Sequence, residues 1–184
     1  LITQILVAEY DRTGTIEIGK FYMRRLRRLY PALLLMLTAY VLIAPFMFPE
    51  VSVGKHLFDA AATGLYLGDY TRTFGLQQDV LSHGWSLAIE EQFYLLWPVV
   101  LLVLVKLPKN RAVGILIGLA VAVTLLRIYH VVGLGNDWRT TYDRFDTHSS
   151  GLILGCIIGL VGKKLPPYAA ALGFFGLFEA MVRF

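Results

Sequence analysis

LSHGWSLAIEEQFYLLWP, Leu81 to Pro98, sets a charged pair, Glu90 and Glu91, into what is otherwise a membrane-grade helix. On a helix of 3.6 residues per turn, His83, Ser86, Glu90, Tyr94 and Trp97 recur at i, i+3, i+7, i+11 and i+14 and fall in one stripe less than a quarter-turn wide. The stripe joins an imidazole, a hydroxyl, a carboxylate and two aromatic rings with polar tips. An ionisable group at membrane depth costs about 3 kcal/mol or more, so one that is kept marks a function or a partner. Two readings fit. The polar residues are helix glue, with Glu90 paired to an arginine such as Arg144, or the carboxylate orients an imidazole for acid–base chemistry.

Composition agrees with a bilayer. Of the 184 residues, 57% are hydrophobic and 16% charged, with a mean hydropathy of +0.61; soluble domains carry about 25% charged residues. The net charge of +4 reads as loop asymmetry, not as affinity for nucleic acid, because the basic residues gather at helix ends. Residues 1–7 read as the end of a spanning helix, 8–16 as a polar loop and 17–29 as a basic amphipathic helix. Pro31 to Phe48 is uncharged and long enough to span. A mixed region, 49–82, holds a short apolar helix near 57–67. Spans are expected at 84–105 and 112–131, a polar loop at 133–143, and apolar segments at 145–162 and 165–184. The expected fold is an all-α, polytopic transmembrane bundle. The chain opens without an initiator methionine and stops inside an apolar run, which reads as a piece cut at both ends.

Lysines and arginines set the orientation. Arg12 with Lys20, Arg24, Arg25, Arg27 and Arg28, then Lys106, Lys109 and Arg111, then Lys163 and Lys164, hold 11 of the 17 basic residues. These three groups share the cytoplasmic side if the 49–82 region re-enters without crossing. Glu50, Asp69, Asp79, Asp137 and Asp143 then lie opposite, with the Glu90 end of its helix nearby.

Two further clusters carry chemistry. FYMRRLRRLYP, residues 21–31, sets four arginines before a span. It serves either as a lipid-headgroup anchor or as an anion site, since guanidinium forks match phosphate bidentately. YDRFDTHSSGLILG, residues 142–155, holds Asp143, Arg144, Asp146 and Ser150, a helix-start ion pair or part of a site. Gly151, Gly155 and Gly159 recur every fourth residue, a spacing suited to close helix packing. The histidines at 56, 83, 130 and 148 lack metal-ligand spacing, so no metal is expected. Cys156 is the single cysteine and reads as a packing residue.

In this order the three clusters resemble the acyltransferase 3 family of integral-membrane acyltransferases. FYMRRLRRLYP is similar to its F-x-x-RR-x-x-R-x-x-P pattern, placing Arg25 and Arg28 at the RxxR positions. SHGWSLAIEEQFYLLWP is similar to H-x-WSL-x-x-E-x-x-FY-x-x-WP and carries His83, Trp85, Ser86, Glu90, Phe93 and Tyr94. Arg144, Asp146 and Gly151 match R-x-D-x-x-x-x-G. The resemblance implies one membrane domain over 1–184, truncated at both ends, in a multi-pass protein of the bacterial inner membrane. It implies O-acyl transfer, commonly of acetyl, from acyl-coenzyme A to a carbohydrate hydroxyl. Glu90 and His83 are then the catalytic candidates. Arg25, Arg28, Trp85, Ser86, Tyr94, Arg144 and Asp146 bind substrate, and the partners are acyl-coenzyme A, a glycan acceptor and membrane lipid. The family's proposed catalytic histidine belongs to a helix before Leu1. The competing class is a transporter or a lipid- or glycan-binding membrane protein without chemistry.

Overall fold

A computed structural model describes residues 2–76, 79–81 and 83–162; Lys163, Lys164 and the 165–184 segment lie outside them. The elements are α1 (Ile2–Thr13), α2 (Ile18–Met47), α3 (Val53–Gly64), α4 (Gly68–Thr73), a 3-10 turn at Asp79–Leu81, α5 (Gly84–Leu104), α6 (Lys109–Ile128) with a π turn at Tyr129–Gly133, α7 (Trp138–Tyr142), α8 (Phe145–His148) and α9 (Ser150–Val161). No strand occurs among the described residues. Three stretches are long and apolar enough to cross a membrane: Ile18–Met47, Gly84–Leu104 and Lys109–Gly133. The protein is an all-α, multi-pass membrane protein.

Several boundaries differ from expectation. α1 runs on through Glu9, Asp11 and Arg12, because charged residues at a helix end are solvated and do not break it. The basic helix and the first span are one helix of 30 residues with Pro31 and Pro45 inside it. Each proline removes one backbone N–H, which a long helix embedded in apolar surroundings tolerates. Phe48 N–H closes on Ala44 O at 2.8 Å, and Pro49 stops further propagation. The expected apolar segment at 145–162 is divided into α8 and α9, and the loop at 133–143 contains α7.

Two compact units are present. One gathers α1, the last third of α5, most of α6 and α9. In it α1 packs on α9. A Cβ added to Gly159 would lie 2.8 Å from Thr3 Cβ, so this contact needs glycine. Gly151 and Gly155 have nothing so close, so the glycine period is a packing device at one of its three positions.

The other unit, built on α2, carries the candidate site. α3 is capped by Ser52, whose hydroxyl accepts the Lys55 N–H at 3.3 Å. It runs back along the upper part of α2. Tyr40 OH meets His56 Nδ1 at 2.9 Å, and Tyr30 OH donates to Gly64 O at 3.2 Å. Leu33, Leu37, Ala60 and Leu81 form the core between them. α5 then continues along the lower part of α2, with Arg25 meeting Glu91 and Tyr22 OH donating to Leu95 O. Two helices in series therefore meet one side of a long helix, at its upper and lower parts. At 12 residues, α3 is about 18 Å long, too short to cross a hydrocarbon core of about 30 Å.

Candidate functional site

An open-sided cavity of about 340 Å³ lies where α2 and α5 meet below the end of α3, lined chiefly by Tyr22, Arg25, Tyr30, Tyr66, Gln92 and Tyr94. Arg25 forms its polar centre. Nε of Arg25 donates to Glu91 Oε2 at 2.8 Å, and an Nη2–Oε1 bond completes a bidentate pair. The guanidinium lies over the Tyr94 ring, 3.7 Å from its centroid. Such a fork is geometrically fixed by two hydrogen bonds and one stacking face. Glu91 sits seven residues beyond Gly84, about 10 Å into α5 at 1.5 Å per residue. The ion pair therefore lies within a span, where each charge needs the other. A guanidinium has five N–H donors, so a pair that uses two leaves Arg25 able to bind a further anion.

The wall beside Arg25 is held by a second polar chain. Gln92 Nε2 donates to Tyr66 O at 2.8 Å and to Asp69 Oδ1 at 3.0 Å. Asp69 is completely buried. Burial pushes its carboxyl above the ordinary range, while the Tyr70 amide and the Gln92 side chain draw it back.

A third set joins the start of α5 to α7 and α8. Trp85 meets Tyr142 and His148 edge to face, with centroids 5.6 and 5.4 Å apart, and Tyr142 meets His148 at 4.4 Å. Arg72 Nε reaches buried Asp143 Oδ2 at 2.5 Å, and its guanidinium approaches the Trp85 ring at 5.8 Å. Burial raises the Asp143 carboxyl and the Arg72 charge lowers it. Arg144 forks onto Asp146 at 2.9 and 2.6 Å.

The predicted residues are thus distributed over separate places. Arg25 and Tyr94 come together; Arg28 is exposed one turn further along α2. Glu90, His83 and Ser86 are exposed, with Ser86 Oγ donating to His83 O at 3.3 Å. Trp97, last in the stripe, is buried. Arg144 is paired with Asp146 and not with Glu90. Residues the stripe did not single out line the cavity: Glu91 and Gln92 from the same motif, and Tyr66 from the mixed region, with Asp69 buried behind Gln92. The signal for the first was available, since Glu91, Tyr94 and Leu95 share a face at i, i+3 and i+4. Among the described residues no cluster of three metal-ligating side chains is present.

A family model described as an acyltransferase domain matches residues 1–181. The chain is 37% identical over 177 residues to the peptidoglycan O-acetyltransferase of Listeria monocytogenes, an alignment covering 88% of the chain and 27% of that protein. It is 34% identical over 180 residues to an O-acetyltransferase of Staphylococcus aureus, covering 92% of the chain and 28% of the relative. A putative O-acetyltransferase of the same species is 31% identical over 179 residues, covering 91% and 28%. The chain spans about a quarter of the length of these curated relatives. No solved structure matches it. A family match over nearly every residue, on a chain that carries the arginine and Trp-Ser-Leu motifs, means that the chain belongs to the acyltransferase 3 family of membrane acyltransferases.

Proposed function

We propose that this chain is the membrane-embedded part of an O-acetyltransferase that takes an acetyl group from acetyl-coenzyme A and delivers it to a hydroxyl of a cell-wall glycan, with peptidoglycan the favoured acceptor. The observation that carries the reading is the forked Arg25, oriented by Glu91 and Tyr94 as the polar centre of an otherwise apolar cavity within a span. A phosphate-bearing donor offers what the remaining guanidinium donors can bind, and its amphipathic pantetheine arm can follow the tyrosine- and leucine-lined wall. Arg28, exposed one turn away, adds positive charge beside it. The glycan in this reading follows the activity of the Listeria relative, a peptidoglycan O-acetyltransferase.

On the acceptor side the reading places Glu90 and His83 as acid–base or positioning groups, with Trp85, Ser86, Arg144 and Asp146 shaping the approach of the sugar. Arg24 and Lys109 face the cytoplasm, and Asp137 the opposite side. Acetyl transfer then connects a cytoplasmic donor to an external hydroxyl through the helices of one domain.

The test is O-acetyl content of the cell-wall glycan in a deletion strain complemented with full-length wild type, Arg25→Ala or the Arg25→Ala, Arg28→Ala double variant, with membrane levels measured in parallel. Losing a charged hydrogen bond to phosphate costs about 1.5–3 kcal/mol, which reads as a rise of about 10- to 150-fold in the KM for acetyl-coenzyme A. Normal donor kinetics in a correctly inserted double variant would return the arginines to lipid anchoring.

A further inference from the structure

Tyr66 is the one non-glycine residue with a left-handed backbone among the described residues, at φ 56°. Its place explains the conformation. Leu67 N–H bonds to Ala62 O at 2.8 Å and Tyr66 N–H to Thr63 O at 3.1 Å, the paired bonds that close a helix when the residue after the cap turns left-handed. Glycine ordinarily holds that position, because a Cβ is strained there and a bulky side chain more so. As a helix terminator Tyr66 is therefore a poor choice, and α3 would end more comfortably on glycine.

The side chain accounts for the choice. The Tyr66 ring lines the Arg25 cavity and meets Tyr30 edge to face, with centroids 6.4 Å apart. Its carbonyl is tied to Gln92, and Gln92 to the fully buried Asp69. Two polar side chains from α4 and α5 thus brace a strained backbone whose one evident benefit is a ring in the cavity wall.

We propose that Tyr66 is a donor-contacting wall residue of the Arg25 cavity, and that Gln92 and Asp69 are positioning residues that hold it in its strained conformation. The inference rests on the donor reading given above. Tyr66 packs on the amphipathic pantetheine arm of the donor beside the phosphate held by Arg25.

The test separates stability from binding. In the full-length protein, Tyr66→Gly relieves strain, so thermal stability in detergent should stay equal or rise, while the KM for acetyl-coenzyme A rises about tenfold or more with kcat nearly unchanged. Tyr66→Phe, which keeps the ring, should restore most donor affinity. Gln92→Leu should raise the same KM in wild type but add nothing in the Tyr66→Gly background, because it acts through Tyr66. An unchanged KM in Tyr66→Gly overturns the inference, whatever Arg25→Ala does. Loss of Tyr66→Gly protein from the membrane also overturns it, since the ring would then serve the fold. Additive effects of Gln92→Leu and Tyr66→Gly would remove Gln92 from the positioning role. A raised KM in Tyr66→Gly with a normal KM in Arg25→Ala would keep the wall and discard the phosphate role of Arg25.

Discussion

Replacing Arg25 with lysine separates a shaped site from a charge anchor. Both residues carry one positive charge, so a helix end that only meets anionic headgroups accepts either. The structure asks more of Arg25. Its fork makes two hydrogen bonds to one carboxylate, and its plane lies 3.7 Å from the Tyr94 ring centroid. An ammonium keeps one hydrogen bond and stacks poorly. The lost charged hydrogen bond is worth about 1.5–3 kcal/mol, and the lost stacking about 0.5–2 kcal/mol. Because one guanidinium makes both contacts the terms overlap, and a combined loss of about 2–4 kcal/mol is expected. At about 1.4 kcal/mol per decade, that is at least tenfold in donor KM or several degrees in the thermal midpoint of the detergent-solubilised protein. Arg25→Lys matching wild type in both midpoint and acetyl-coenzyme A kinetics would refute the reasoning.

Three other outcomes follow from the geometry. Glu90→Gln, at an exposed position, should shift stability by under about 0.5 kcal/mol; if Glu90 serves the acceptor chemistry, glycan O-acetylation falls by about 100-fold at normal protein level, and equal acetylation would remove it from the mechanism. Burial raises the Asp69 carboxyl, so between its unfolded and folded pKa the native state holds more protons and stability falls as pH rises through that window; Asp69→Asn should flatten this dependence in thermal unfolding between pH 4 and neutrality, and a wild-type profile would show that Asp69 does not titrate in this way. Cysteine-accessibility labelling in a Cys156→Ser background should find Lys109→Cys and Arg24→Cys on one face and Asp137→Cys on the other, and Lys109 opposite Arg24 would invert the proposed sidedness.

Much of the architecture was readable because bilayer helices announce themselves by length. The uncharged run Pro31–Phe48 and the segments near 84–105 and 112–131 all became helices that can span. The merging of 17–29 with 31–48 was harder to foresee, since a proline at 31 argues for a break in water. The family motifs led to Arg25 and Tyr94 as cavity partners. The periodic stripe drew weight to Glu90, whereas the contact with α2 falls to Glu91, about 100° further round the helix. Periodicity gives a residue's angle on its own helix but not the direction from which the neighbour arrives. Tyr66 left no signal, and Asp69 was read only as one acidic residue on the side opposite the basic loops. A strained tyrosine and a buried aspartate acquire meaning only once α3 ends beside α2 and Gln92 reaches both.

The serial arrangement of α3 and α5 along α2 has a consequence for how the chain is made. α3 carries Lys55, with His56 and Asp59 buried against its neighbours, and Lys55 Nζ reaches Asp59 Oδ1 at 2.6 Å. Lysine and aspartate each oppose insertion by about 2.5–3.5 kcal/mol at the centre of a span, and 12 residues hold too few apolar side chains to offset them. The translocon therefore has no reason to release α3 into lipid as an independent helix. Its entry must be templated by α2 already in place, with Tyr40 waiting for His56. During synthesis the Arg25 cavity stays unformed until α5 emerges, so insertion order and the completion of the cavity are one event.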